Sequence, residues 1–220
     1  MMADPAPVPK ILVLASGSGT NLQALIDSTR TRDFPGEIVA VGCNRPGAFA
    51  LERAAQANIP TFVVNHKDFT SREEFDAALL AEILRHNPDA VVLAGFMRIL
   101  TRDFVRAFRG RMLNIHPSLL PAYTGLNTHQ RVLDAGDAVH GVSVHFVTEE
   151  LDGGPVIAQA EVPVASGDTA ESLAEKVQKQ EHTLYPIVVR WLCEGRISLD
   201  ANGVSFDGKP LAAPLVLPAD

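Results

Sequence analysis

"ILVLASGSGTNLQALIDSTR", residues 11–30, decides the fold class. It opens on an unbroken apolar run, passes through a Gly/Ser turn, and from near Asn21 returns to apolar residues at helical spacing. A strand without polar alternation is covered on both faces, as the strands of a parallel sheet are. The pattern then repeats. "EIVAVGC" (37–43) leads into "NRPGAFALERAAQAN", where Pro46 suits the first turn of a helix. "TFVV" (61–64) leads into "SREEFDAALLAEILRHN", in which Phe75, Leu79 and Ile83 keep a helical period. "AVVLAG" (90–95) and "RMLNI" (111–115) supply a fourth and a fifth strand. Strands alternating with helices predict an α/β chain: a Rossmann-like, mostly parallel, twisted sheet with helices on both faces.

The texture changes in the C-terminal half. "HGVSVHFVTEELDGGPVIAQAEVPV" (140–164) reads as two extended runs around an acidic, Gly-rich turn, which predicts antiparallel strands added to the sheet. A long helix fits "AESLAEKVQKQEHTLYPIVVRWLCEG" (170–195), followed by the strand-like pieces "RISL" and "GVSF" and a Pro-rich end. No linker separates domains. The expected organisation is a flexible lead over 1–9, a single domain over 10–200, and a tail over 201–220 that covers an edge.

Bulk composition narrows the function. The 220 residues are 46% hydrophobic and 20% charged, with a net charge of −7 and no run of Lys or Arg. A nucleic-acid or anionic membrane partner is not expected from such a surface. No window reaches the length of a membrane span, and "MMADPAPVPK" is no signal peptide. Cys43 and Cys193 have no pairing pattern and read as reduced core thiols of a cytoplasmic protein.

The glycines of the opening stretch have a chemical reading beside the structural one. Free N–H groups at a helix start, together with the positive end of its dipole, receive a phosphate. Gly17 and Gly19 let the backbone come close, and Ser18, Thr20 or Asn21 cap the helix or touch oxygens. The plainer alternative is a tight turn that needs small residues. No Gly-Lys-Ser/Thr follows, which excludes a P-loop. Leu22 stands where a dinucleotide fingerprint needs its third glycine, and the second strand ends "GCNR", without an acid for a ribose. A small phosphorylated substrate fits better than NAD or ATP.

"MLNIHPSLLPAYTGLNTH" (112–129) holds the other candidate chemistry. Pro117 pushes His116 into an extended conformation, so Asn114 and His116 share one face of a strand end and Ile115 takes the other. The alternative is a strand end whose polar residues satisfy loop backbone. Asp152 in "EELDGGP" alone is a hairpin turn residue. Beside an amide and an imidazole, a carboxylate orients the ring or holds a water. His140 and His145 would face opposite sides of a strand, His66, His86 and His182 lack companions, and His129 is expected on a helix in a capping or solvated role. No metal is expected. Asn114, His116 and Asp152 beside a phosphate loop suit acyl-type transfer: Asn and His stabilise an oxyanion while the His–Asp pair manages protons.

At this point the chain resembles the folate-dependent phosphoribosylglycinamide (GAR) formyltransferase family. The resemblance runs from Ile11 to about Arg196 through "SGSGTNLQALID", "LAGFMRIL", "LNIHPSLLP", "HGVSVHFVTEELDGGPVI" and "VQKQEHTLYP". "HPSLLP" is shared with other 10-formyltetrahydrofolate enzymes; the five stretches together are specific to this family. The resemblance implies a mononucleotide-binding N-terminal half and a folate-binding, catalytic C-terminal half. It implies that Asn114, His116 and Asp152 are catalytic, and that Gly19, Thr20 and Asn21 contact the phosphate of glycinamide ribonucleotide. Gln178 and Glu181 match positions on its phosphate side and ribose hydroxyls, and Pro117 lines the junction of the two substrates. The folate pocket matches Arg72, Met97, Arg98, Ile99 and Leu100 with Asn114, and the loop from Val147 to Asp152 closes over the pterin. The implied formyl donor is 10-formyltetrahydrofolate, passed directly to the nucleotide's amine without metal or covalent intermediate. Thr124 and Asn127 depart from the family, which usually reads Pro and His there.

The rival within the superfamily is 10-formyltetrahydrofolate hydrolase, which carries an extra domain ahead of its Gly loop, where residues 1–15 leave little room. Methionyl-tRNA formyltransferase needs a basic surface and a further C-terminal domain. A non-catalytic nucleotide- or folate-binding module would need a damaged trio. Small-molecule substrates are thus the expected partners, and a homodimer is left open.

Overall fold

The computed structural model describes residues 7–218. The expected strand–helix alternation is realised in order: β1 (Lys10–Ala15), α1 (Thr20–Thr29), β2 (Glu37–Cys43), α2 (Phe49–Gln56), β3 (Thr61–Val63), α3 (Arg72–Arg85), β4 (Ala90–Leu93), α4 (Arg102–Ala107) and β5 (Met112–His116). Then follow α5 (Thr128–Ala135), β6 (Val139–Phe146), β7 (Val156–Pro163), α6 (Ala170–Cys193), β8 (Ile197–Asp200), β9 (Gly203–Phe206), β10 (Lys209–Pro210) and β11 (Leu215–Leu217).

Eight strands form one sheet in the order β11-β7-β6-β5-β4-β1-β2-β3. β3, β2, β1, β4 and β5 are mutually parallel. β6 pairs antiparallel with both β5 and β7. The order reverses beside β1, from which the chain steps outward through β2 and β3 and then returns to β4, and ligand crevices form at such switch points. On β1 the period of two sends Ile11 and Val13 to one core and Leu12 and Leu14 to the other. The first core includes Leu22 of α1 with Leu184 and Val188 of α6. The second includes Phe75 and Leu79 of α3 with Phe104 of α4. Helices therefore cover both faces, as the apolar strands require.

Four expectations change in detail. Pro46 does not begin a helix: Gly47 turns the chain at φ 75, and α2 starts at Phe49 after an extended Ala48. The chain beyond 200, expected as a tail, contributes regular structure. β9 completes a hairpin with β8, β10 pairs with β9, and β11 adds parallel to β7, so the edge-covering role falls to "LVL". Of the expected N-terminal lead, residues 1–6 lie outside the described residues, while the Pro9 carbonyl accepts from the Glu37 N–H at 2.9 Å. Cys43 is buried as expected, whereas Cys193 is only partly so; both are free thiols. No helix among the described residues is long and apolar enough to cross a membrane.

α6 is more than a cover. Its fully buried Tyr185 sends a hydroxyl between the sheet's central strands, 2.8 Å from the Leu93 carbonyl and 3.2 Å from the Leu113 carbonyl. Tyr185→Phe keeps the ring and removes this bond next to the ends of β4 and β5. The expected cost is about 1–2 kcal/mol of unfolding free energy in urea titration. No loss would mean that the hydroxyl is not holding the strands.

Candidate active site

β5 carries the centre of the site. Leu113 and Ile115 pack into the core shared with α1 and α6, while Met112 joins the opposite one, which places Asn114 and His116 together as the alternation requires. The antiparallel register sets His145 of β6 opposite Asn114. His145 Nδ1 lies 2.9 Å from the Phe146 carbonyl, which only accepts, so Nδ1 carries the proton. Nε2 is then an acceptor and takes one N–H of the Asn114 amide at 3.1 Å. Burial holds this imidazole below the usual histidine range, which preserves the accepting lone pair. The amide is thereby oriented, with its second N–H left to donate elsewhere.

His116 is fixed by the same logic. Its Nε2–H donates to the Tyr123 carbonyl at 2.9 Å, which turns Nδ1 towards Asp152 Oδ2 at 3.5 Å. Both side chains are nearly sealed, 7% and 8% exposed. Asp152 also accepts the Gly125 N–H at 2.9 Å, so the loop after β5 reaches back to hold both members of the pair. The 147–155 connection is a broad loop between β6 and β7 rather than a tight Asp-Gly turn. Asp152 stands in it at φ 52, and Gly154 passes so near the Phe146 carbonyl that a Cβ would lie 1.8 Å from the oxygen. Ser118 N–H donates to the His116 carbonyl at 2.8 Å across Pro117, which starts the turn out of β5.

The glycine loop meets α6. Gly19 is the N-cap residue of α1 at φ 70, and no side chain caps the helix, so of the two roles offered for Ser18, Thr20 or Asn21, capping does not occur. Thr20 Oγ1 instead accepts from Gln178 Nε2 at 3.2 Å, and Asn21 Nδ2 donates to Glu181 Oε2 at 2.7 Å. The first-turn N–H groups remain without side-chain partners and border a cavity of about 260 Å³ lined by residues from Ser16 to Asn21 with Arg45 and Met97. α2 supports the loop from outside: a Cβ on Gly19 would meet Ala50 at 2.8 Å, and Arg53 Nε donates to the Ser18 carbonyl at 2.8 Å. Burial raises the Glu181 carboxyl above its usual range, opposed by the Asn21 amide and the neighbouring His116.

The third group flanks these. Met97 and Ile99 are exposed apolar side chains, whereas Leu100 and Val147 are partly buried against the α3–α4 core. The Arg98 guanidinium lies 5.8 Å from the Phe75 ring centroid, and Arg72 opens α3 with its charge acting, like that of Arg98, on Asp76. A larger groove, about 800 Å³, runs along α4 and residues 147–150 to the β8–β9 hairpin and includes none of Asn114, His116 and Asp152. The sequence-predicted site residues thus fall in three groups, with Arg72 tied to the third only through its charge on Asp76. From sequence, His145 is weighed only as a metal ligand and set aside, and the Tyr123 carbonyl and Arg45 are not named as site groups.

Comparison with known proteins identifies the family. The family model described as formyl transferase matches residues 9–189. The chain is 53% identical over 201 residues to phosphoribosylglycinamide formyltransferase of Escherichia coli (strain K12), covering 91% of this chain and 95% of that protein. The chain belongs to the formyl transferase family. Among solved structures, phosphoribosylglycinamide formyltransferase from Coxiella burnetii superposes with a TM-score of 0.92 at 49% identity, covering 96% of this formyl transferase and all of that chain. The human trifunctional purine biosynthetic protein adenosine-3 is 45% identical over 194 residues, 88% of this chain and 19% of that protein.

Asn127 and Thr124 both lie in the loop after β5 of this formyl transferase. Asn127 is the N-cap residue of α5 at φ 56, a left-handed position that asparagine tolerates well, and its side chain makes no capping bond. Thr124 is held through its backbone, its carbonyl accepting from Arg131 Nη1 at 2.6 Å. Beside these two residues, the His116 contact to the Tyr123 carbonyl and the Asp152 contact to the Gly125 N–H are both made. His129, expected to cap or to face solvent, does neither: Nδ1 lies 3.0 Å from Nε2 of the buried His140.

Burial, and then the nearby His129 and His116, push His140 down to about 4. The unfolded chain, with an ordinary histidine value, binds more protons between roughly pH 6.5 and the folded value, so stability falls as pH is lowered through that window. Urea titrations at pH 7 and pH 5 should differ by about 2 kcal/mol from this residue alone. His140→Asn should flatten the slope; an unchanged slope would exclude His140 as its source.

Proposed function

We propose that this chain transfers the formyl group of 10-formyltetrahydrofolate to the amine of glycinamide ribonucleotide, yielding formylglycinamide ribonucleotide and tetrahydrofolate for purine biosynthesis. The observation that carries the reading is the meeting of Asn114, His116 and Asp152 on one side of an uncapped helix start that is backed by Gln178 and Glu181. An uncapped N-terminus suits a phosphate, and the Glu181 carboxylate suits sugar hydroxyls. Pro117, directly after His116, lies where the two substrates would meet. The flat apolar edge of Met97, Ile99, Leu100 and Val147 suits a pterin, with Arg72 and Arg98 available to the carboxylates of the donor's tail. Cytoplasmic action fits two free cysteines.

The chemistry follows from the donors. The nucleotide amine attacks the formyl carbon, forming a C–N bond while the carbonyl electrons move to oxygen. The free N–H of the Asn114 amide and the His116 Nε2–H, which here rests on the Tyr123 carbonyl, are the donors for that oxyanion. Collapse re-forms the carbonyl and expels N10 of the folate with its bonding pair. The amine's surplus proton must reach N10, and Asp152 behind the imidazole is the carboxylate placed to relay it through a water. Neither a covalent enzyme intermediate nor a metal has a step to perform in this sequence.

A hydrolase using the same trio would differ only in its acceptor, and the cavity at the helix start is what favours a phosphorylated acceptor over water. Replacing one oxyanion donor should cost about 10²–10³ in kcat. Asn114→Ala and His116→Ala are expected to show that loss in steady-state assays with little change in either KM. Retained kcat in His116→Ala would remove the imidazole from the mechanism.

A further inference from the structure

The folate-side segment, residues 96–100, has a feature that its sequence does not advertise: none of these residues makes a backbone–backbone hydrogen bond with a described residue. β4 ends at Leu93, the last ladder contact before the segment is the Ser16 N–H on the Gly95 carbonyl at 3.2 Å, and α4 does not begin until Arg102. Apolar anchoring is thin as well. Met97 and Ile99 are 59% and 56% exposed, Phe96 and Leu100 turn towards the core, and Arg98 reaches inward only through its guanidinium over the Phe75 ring, with its buried Nε lacking a hydrogen-bond partner. A segment of this kind should drift unless something else holds it.

Two buried side chains do so, one at each end. At the near end the Ser16 hydroxyl accepts the Met97 N–H at 2.8 Å. That hydroxyl is itself aimed: it donates its proton to Asn44 Oδ1 at 2.6 Å, which leaves its lone pairs for Met97. Asn44 is held in turn through its carbonyl, which accepts from His66 Nδ1 at 2.8 Å. At the far end Asp76, only 2% exposed on α3, accepts the Thr101 N–H through Oδ2 at 2.5 Å. Its Oδ1 has no hydrogen-bond partner, so the carboxylate is not placed there by a network of its own. Both acceptors come from elements distant in sequence, and both meet backbone N–H groups that no other group satisfies.

We infer that Ser16 and Asp76 are positioning residues for the formyl donor, pinning the two ends of the segment from Met97 to Leu100 that meets it. The inference rests on the assignment of that segment to the folate. Because Ser16 is also the first residue of the glycine loop and lines the cavity at the start of α1, its pin joins the donor segment to the nucleotide side. Asp76 joins the donor segment only to α3. The two pins should therefore be separable by kinetics.

The test uses the full chain with Ser16→Ala, Asp76→Leu, Asp76→Asn and, as a control for the assignment itself, Arg98→Ala, measuring KM for each substrate, kcat and urea unfolding. Ser16→Ala and Asp76→Leu are expected to raise the KM for 10-formyltetrahydrofolate about tenfold, the scale of one lost hydrogen bond to a buried N–H. Asp76→Leu should leave the nucleotide KM unchanged, whereas Ser16→Ala should raise it too. Asp76→Asn keeps an oxygen for Thr101 and should restore the donor KM to within about twofold of the native value. Should Asp76→Leu fail to fold, Ser16→Ala and Asp76→Asn carry the test. Donor KM unchanged in Ser16→Ala while Arg98→Ala raises it would overturn the pins but keep the site. A raised donor KM in Asp76→Asn would show that the carboxylate acts through its charge on Arg72 and Arg98, and would overturn the pin on Thr101. An unchanged donor KM in Arg98→Ala would overturn the assignment of the segment and the inference with it.

Discussion

The site depends on β5 being paired in two senses at once. On one side it continues the parallel sheet through Leu93 opposite Asn114; on the other it runs antiparallel to β6 with His145 opposite Asn114. The parallel side brings Asn114 and His116 to the end of the sheet where the glycine loop and α1 begin. The antiparallel side brings an imidazole with a defined tautomer against the amide and returns the chain, through the 147–155 loop, so that Asp152 reaches His116. A one-residue slip in either register would turn both functional side chains into the opposite core, because strand side chains alternate with a period of two.

α6 completes what β5 begins. Its buried Tyr185 fastens the strands from within, and one and two turns earlier Glu181 and Gln178 meet Asn21 and Thr20 of α1. A single helix thus holds the sheet together and backs the glycine loop at the start of α1. In the proposed reaction, oriented donors in a sealed setting are what stabilise a developing oxyanion: His145 Nε2 orients the Asn114 amide and leaves its second N–H free, whereas the His116 Nε2–H must exchange the Tyr123 carbonyl for the oxyanion. The Phe146 carbonyl fixes His145, and the Tyr123 carbonyl fixes His116.

Much of this was legible in the sequence because it is periodic or local. The unbroken apolar strands predict the sheet, the period-two spacing with Pro117 predicts the shared face of Asn114 and His116, and the glycines predict the turn into α1. Asp152 is legible only weakly: Asp-Gly alone spells a turn, and its role becomes visible once the antiparallel return places it beside the imidazole. Contacts that close over long stretches leave no local trace. Ser16 meets Met97 across 81 positions, Asn114 meets His145 across 31, and Asp76 meets Thr101 across 25. β11 and the later start of α2 escaped for a different reason. A three-residue strand has too little pattern to read, and the left-handed Gly47 delays a helix that Pro46 alone would start.

The claim at the centre is that a phosphorylated amine, not water, takes the formyl group. Release of tetrahydrofolate from 10-formyltetrahydrofolate, followed with and without glycinamide ribonucleotide, tests it most directly. The expected result is release that depends on the nucleotide and is matched mole for mole by formylated product. Release at the same rate without nucleotide would contradict it and make the chain a hydrolase.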